Sequence, residues 1–478
     1  MEAAALRPCR RDAVPAAAQR QARPRDADAR RGSGRRVGPG SAPRPTGRPG
    51  LTVIGDPADE PGVGRAPDAA PGPRVPPRRG TRPRNRKALI IDAAAELFYE
   101  RGYANVAMSE VANAVNVRAS SLYRHFAGKS ELLSAVLQAE LTPFRAAAAD
   151  ATSLDALLAA LATAAAHRPR IGVLWQRESR VLSREELAPL TLELHELTSR
   201  MTVLLRAERP RLRAADAQLL VWCALSILRS VANRGMRPSP ADHTSLIADV
   251  LSRVLGLVPR HGTSVARLKA PWVDLRVYTP HSTRERLLGV AAPLLAASGY
   301  AGTSLEDIAA RAGIAGPTIY HYFGSKQDLL FASLSRAAEG VLLDMHRALS
   351  HARDAADAVR RLSESYLTFA TTNSALIDVL ITDTHQLSGP QKAYVMQSQE
   401  SFRAEWTHVL LQADPAFKPV TARAAVRATL AVIDDFARSP GLRRVPDVFP
   451  NLVELLLEIQ RAPGGGRRGL PHQGGAGA

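Results

Sequence analysis

The stretch GYAGTSLEDIAARAGIAGPTIYHYFGSKQDLL, residues 299–330, decides how this chain is read. It divides into two short helices joined by a tight turn, with the start of a third. Thr303 or Ser304 can cap the first helix by accepting from a free backbone N–H. Leu305, Ile308 and Ala309 then recur at helical spacing. Gly313 supplies the left-handed conformation that a sharp stop requires. Ile314 and Ile319 anchor the second helix, Tyr320 and Phe323 close it, and Lys326 opens the next. This is the layout of a helix-turn-helix, whose second helix enters a DNA major groove.

The same pattern stands earlier, at residues 102–133, as GYANVAMSEVANAVNVRASSLYRHFAGKSELL. Tyr103 matches Tyr300, Ala112 matches Ala309, Tyr123 matches Tyr320, Phe126 matches Phe323 and Lys129 matches Lys326, all at a constant offset of 197 residues. A gapless register over more than thirty residues marks an internal duplication. The chain therefore carries the helix-turn-helix layout twice.

Both segments resemble the DNA-binding region of TetR/AcrR-type transcriptional regulators. Ile308-Ala309, Ala312-Gly313-Ile314, the run from Thr318 to Phe323 and Lys326 follow that family's pattern. The first copy departs from it: Val106-Ala107 stand where the capping Thr-Ser would be, and Asn116 replaces the turn glycine. Asn tolerates positive φ, so the turn survives, and a lost cap costs roughly 1 kcal/mol. The resemblance covers about fifty residues in each half. It implies an all-α chain of two tandem units, each a three-helix reader plus a helical regulatory and dimerisation domain.

On that plan we expect a disordered Arg/Pro-rich tail at 1–82, a reader at 83–133 and a helical regulatory domain at 134–258. A linker at 259–281 leads to the second reader at 282–331, the second regulatory domain at 332–461 and a disordered tail at 462–478. Within the regulatory domains we expect helices at 170–182, 185–206, 214–234 and 240–256, punctuated by Pro143, Pro169, Pro189, Pro210 and Pro238. In the second half, breaks are expected near 350–353, 373, 389–390, 415–419 and 440–446. Pro293, inside the first helix of the second reader, should kink it at a cost near 3 kcal/mol. Trp272 can pin the linker to a domain surface.

Composition limits the function classes. At 478 residues the chain exceeds one core. No run of eighteen apolar residues and no N-terminal apolar signal core is present, so neither a membrane span nor export is expected. Cys9 and Cys223 lie too far apart in context to pair or to form a metal site, which points to a reducing cytoplasm, and the DNA-binding reading adds an expected association with the nucleoid. We expect no metal and no cofactor. The formal charge of +18 is concentrated: residues 1–86 carry nineteen Arg, no Lys and eight acidic residues, more than half of the excess. The motif, not net charge, thus carries the DNA argument. The tail can track phosphates nonspecifically, or be an unselected extension. Arg82, Arg84, Arg86 and Lys87 stand where they can reach a phosphate or the minor groove.

Direct readout needs side chains near the start of the recognition helix. In the first half these are Arg118, Ala119, Ser120 and Ser121, with Arg124 one turn on; Arg118 can pair bidentately with guanine or hold a phosphate. In the second half they are Ala315, Gly316, Pro317 and Thr318, which offer little hydrogen bonding, with Thr303 at the start of the preceding helix. The resemblance implies phosphate contacts by Tyr123, Tyr320, His321, Lys129 and Lys326. The tyrosines have a second reading as core aromatics with surface hydroxyls.

The regulatory domains place polar groups on apolar helices. Trp175, Arg177, Trp222, Asp383 and His385 are candidates for a pocket taking a small-molecule, apolar effector. No catalytic motif appears, and Asp383 and His385 at i and i+2 point apart on a helix, so no enzyme is expected. The resulting expectation is a sequence-specific, ligand-responsive regulator of a double-stranded DNA operator, a repressor by the family's commoner habit. It acts either as an intramolecular pseudo-dimer sealed by 214–234 and 240–256 against 420–438 and 446–460, or as a homodimer. The rivals are a nonspecific architectural binder driven by the tail, and an interaction scaffold with one lapsed reader.

Overall fold

The computed structural model describes residues 85–230, 240–259, 280–443 and 448–462. The expectations for the tail 1–82, Arg82 and Arg84, Pro238, Trp272 with nearly all of the linker, and the tail from 463 lie outside the described residues. Everything described belongs to one compact unit, 76–478. Among the described residues the ordered elements are α-helices and short 3-10 turns, and no strand occurs.

The first reader comprises α1 (Arg86–Arg101), α2 (Met108–Ala114) and α3 (Ala119–Leu122). α1 buries Ile90, Ala94 and Phe98, a stripe set by their helical spacing. The turn after α2 is made by Asn116 at φ 55°. The second reader comprises α10 (Thr283–Ser298), α11 (Leu305–Arg311) and a 3-10 turn, Gly316–His321, where the first copy has an α-helix. There Gly313 takes φ 72°. Ser304, not Thr303, is the cap of α11. Its Oγ accepts from the Asp307 N–H at 3.0 Å, and Asp307 Oδ2 accepts from the Ser304 N–H at 2.9 Å. In the first copy Ala107 has no acceptor to offer, but Glu110 Oε2 still takes its N–H at 2.7 Å. Half the box survives.

The first regulatory block is α4 (Lys129–Asp150), α5 (Leu154–His167), α6 (Ile171–Glu178), α7 (Arg184–Glu208), α8 (Ala214–Ser230) and α9 (Pro240–Leu255). The second is α12 (Lys326–Ser350), α13 (Ala355–Thr372), α14 (Ser374–Asp383), α15 (Gly389–Ala413), α16 (Pro419–Arg438), the short α17 (Pro440–Arg443) and α18 (Val448–Ile459). The expected helix at 170–182 is shorter: α6 stops at Glu178 and continues as a 3-10 turn, Ser179–Val181.

Proline is where local propensity misled. Pro143, expected to punctuate the chain, lies inside α4 without ending it, while Pro189 lies inside α7 and Pro293 inside α10, helices expected to contain them. Each removes one backbone hydrogen bond, a penalty near 3 kcal/mol. Burial offsets it: α10 sinks Leu287, Leu288, Ala291 and Leu295, and each fully buried leucine contributes roughly 1.5–3 kcal/mol.

The two blocks meet face to face. α8 packs on α16, α9 on α18, and α6 on α14. One continuous apolar core runs from the first reader through both blocks. The second reader has its own core, built on Leu295, Ile308, Ile319 and Phe323, closed by Val379, Leu387 and Val395 from the block beneath it.

Candidate nucleic-acid interface

In both readers the residues expected in the core are there: Leu122, Phe126, Ile319 and Phe323 are buried. Their burial turns the neighbouring positions outward. Tyr123 is 56% exposed and Tyr320 52% exposed, so both phenol rings stand at the surface. Around Tyr123 lie Arg118, Ser120 and Arg124, all exposed, with Ser121 half-buried. Around Tyr320 lie Pro317 and His321, exposed, with Thr318 half-buried. The Tyr320 hydroxyl donates to Glu306 Oε1 at 3.0 Å, and that carboxylate holds the phenol pKa above its ordinary value.

Three expected DNA contacts are placed otherwise. Thr303 is 3% exposed, and its hydroxyl donates to the Gly299 carbonyl at 2.9 Å. Lys326 folds inward: its ammonium donates to the carbonyls of Tyr300 (2.6 Å) and Thr303 (2.9 Å) and sits 4.2 Å from the Tyr300 ring centroid. Lys129 makes the same approach to Tyr103, also at 4.2 Å. Loss of solvent lowers both lysine pKa values. These lysines, the first residues of α4 and α12, clamp the Gly-Tyr turns to those helices, a cation–π contact of about 0.5–2 kcal/mol. The signal was legible, because Tyr and Lys recur together in both copies. The reading as phosphate ligands came from the resemblance alone.

A second pair of cations also recurs. Lys87 Nζ lies 5.5 Å from the Phe126 ring centroid and Arg284 Cζ 5.2 Å from that of Phe323, on the face where each reader's recognition segment ends. Arg284 was missed in sequence because its partner in the first copy is a lysine.

The five candidate effector residues each make packing or polar contacts of their own. Trp222 meets Phe436 edge-on across the two blocks, with centroids 6.5 Å apart, while Trp175 is half-buried against the core. Arg177 is buried and donates to the carbonyls of Phe98 and Tyr99 in the first reader. Asp383 accepts from Arg180 at 2.6 Å, and burial raises its carboxyl pKa. His385 is held at a pKa of about 4, chiefly by burial and then by Arg177. A cavity of about 220 Å³ lies between α15 and α16, lined by Glu400, Arg403, Thr407, His408, Arg423 and Arg427. No group of three or more metal-ligating side chains is gathered among the described residues. No helix among them is long and apolar enough to cross a membrane.

Comparison with known proteins bears on this geometry. Residues 90–136 and 287–333 each match the family model for bacterial regulatory proteins of the tetR family. The HTH-type transcriptional activator FasR of Mycolicibacterium smegmatis is 46% identical over 63 residues, 13% of this chain and 29% of its own length. The HTH-type transcriptional repressor KstR2 of Rhodococcus jostii is 27% identical over 128 residues, 27% of this chain and 63% of its own. The chain thus spans less than two thirds of either relative. Among solved structures, the TetR family regulator PfmR of Thermus thermophilus aligns at 24% identity and a TM-score of 0.34, over 38% of this chain and 98% of its own. The two matched segments coincide with the two readers, so the chain carries the DNA-binding segment of the tetR family of bacterial regulatory proteins twice.

Proposed function

We infer that this protein is a sequence-specific, DNA-binding transcriptional regulator acting on nucleoid DNA in the cytoplasm. Its two readers take two half-sites of one operator. The observation that carries the reading is the exposure of Tyr123 and Tyr320 at matching registers, each beside an outward recognition segment. Hydroxyl donors at such positions fix register on the phosphates, while neighbouring side chains read bases. Regulator is the level at which the two named relatives agree, since one is called an activator and the other a repressor.

The two halves serve each other as subunits. Support comes from the charge pattern where they meet: Arg229 on α8 pairs with Asp435 on α16, and Gln176 Nε2 on α6 donates to Asp435 Oδ1 at 3.0 Å. Arg438 on α16 donates to Asp378 on α14 at 2.6 Å and to the Gln176 carbonyl at 3.5 Å. The carboxylates of this network, Asp378 and Asp435, both come from the second block. Two first blocks brought together would leave Arg229 facing no such acid, and a stranded charge costs about 3 kcal/mol. Like would therefore not pair with like. Reader centres are then at least about 34 Å apart on DNA, one helical turn. Light scattering should give one chain mass, 51.3 kDa; twice that mass at micromolar concentration would favour the homodimer. A small-molecule effector is part of this reading, bound in the helical blocks.

Binding tests the function. Tyr123→Ala with Tyr320→Ala should abolish preference for the selected duplex. Deleting 1–82 should lower affinity and salt dependence and leave the preference intact. Equal affinity for every duplex, retained by the tail alone, would establish the architectural reading instead.

A further inference from the structure

The ends of α6 and α14 repeat one another in chain position and in what they touch. Each helix ends on an acid, Glu178 or Asp383, and each continues into a 3-10 turn: Ser179–Val181 after α6, Thr384–Gln386 after α14. Each acid acts on the Gly-Tyr turn of its own half. Glu178 Oε1 accepts from the Tyr103 N–H at 3.2 Å, and the charge of Asp383 acts on Tyr300 and Lys326. Two residues further on, the chain crosses over. The His385 ring lies against the first reader: a Cβ on Gly102 would stand 2.6 Å from its Nε2. Arg180 lies against the second: a Cβ on Gly299 would stand 3.4 Å from its Cζ. Arg180 is fixed there by donating to Asp383 Oδ1 at 2.6 Å.

Gly102 and Gly299 are matching residues of the two copies, the first of each Gly-Tyr turn, at φ 83° and 72°. Each turn is thus gripped twice. The reader's own lysine clamps it from one side, and a side chain from the opposite half rests on it from the other. We propose that Arg180 and His385 are positioning residues, each fixing the orientation of the reader that belongs to the other half. The proposal rests on the reading above that both readers engage DNA. A displacement of α6 is then passed to the second reader as well as to its own, and a displacement of α14 to the first as well as to its own. The distance between readers is set by both blocks together.

Amide exchange on the full chain tests this without DNA. Arg180→Ala should accelerate exchange at 298–304 by at least about tenfold and leave 101–106 unchanged, and His385→Ala should do the reverse. Arg180→Lys, which keeps a donor for Asp383, should restore protection at 298–304. If an alanine loosens the whole chain, Arg180→Gln and His385→Asn carry the same comparison at smaller amplitude. Faster exchange confined to the variant's own half, or at neither turn, would overturn the proposal. A chain that shows the crossed pattern but prefers no duplex keeps the coupling and sinks the DNA role. One that selects a duplex without the crossed pattern does the opposite.

Discussion

In the first reader the turn is an asparagine at φ 55°, the helix before it begins on an alanine, and the recognition segment is a helix led by an exposed arginine. In the second, a glycine makes the turn, a reciprocal Ser304–Asp307 box starts the helix, and the recognition segment is a 3-10 turn with Pro317 near its start. The copy with the better scaffold has the poorer set of base-reading donors. Scaffold and readout are therefore separable: turn and cap chemistry decide how firmly a reader is built, and the residues between turn and core decide what it reads.

The largest effect should separate the two cores. Phe126→Ala and Phe323→Ala each remove a buried ring, worth about 3–5 kcal/mol. Phe126 belongs to the core shared with both blocks, so its loss should lower the main calorimetric transition. Phe323 belongs to a separate cluster, so its loss should split off an early transition confined to the second reader. The contrast fails if both variants melt alike.

Base readout comes next. Arg118→Ala should weaken binding to the selected duplex by about 1–3 kcal/mol and relax preference at one position, whereas Thr318→Ala should change either little. Fluorescence anisotropy against single-base variants of the site measures both. Equal losses would mean that the second reader carries as much specificity as the first.

Acid should also discriminate the readers. His385, resting on the first, has a folded pKa of about 4 against an ordinary 6.5. The unfolded chain therefore binds a proton more readily, and stability present above pH 6.5 is lost as pH falls toward 4. On the order of 1–2 kcal/mol should go by pH 5, and His385→Asn should remove that part of the loss, read from melting at pH 7.5 and 5.

The smallest effect concerns the caps. Ser304→Ala should cost roughly 1 kcal/mol, and Ala107→Ser should return up to as much to the first reader. Chemical denaturation followed by exchange at each reader resolves the two. No gain from Ala107→Ser would mean that Glu110 already suffices.

Much of this was legible in the sequence. The duplication, both turns and the readers' buried faces followed from residue type and spacing, because helical periodicity and positive-φ positions are local. Pro143 was misjudged as a break, since tertiary burial outweighs a local penalty. Lys129, Lys326 and Thr303 were assigned outward because register alone does not say which way a flexible side chain folds. The crossed contacts of Arg180 and His385 join residues some 120 and 280 positions from the glycines they touch. No local pattern encodes a pairing of that kind.

Selection of bound duplexes from a random pool with the intact chain tests the central claim most directly. The account predicts enrichment of two dissimilar half-sites at one fixed spacing. Enrichment of a perfect palindrome, or of no sequence at all, would contradict it.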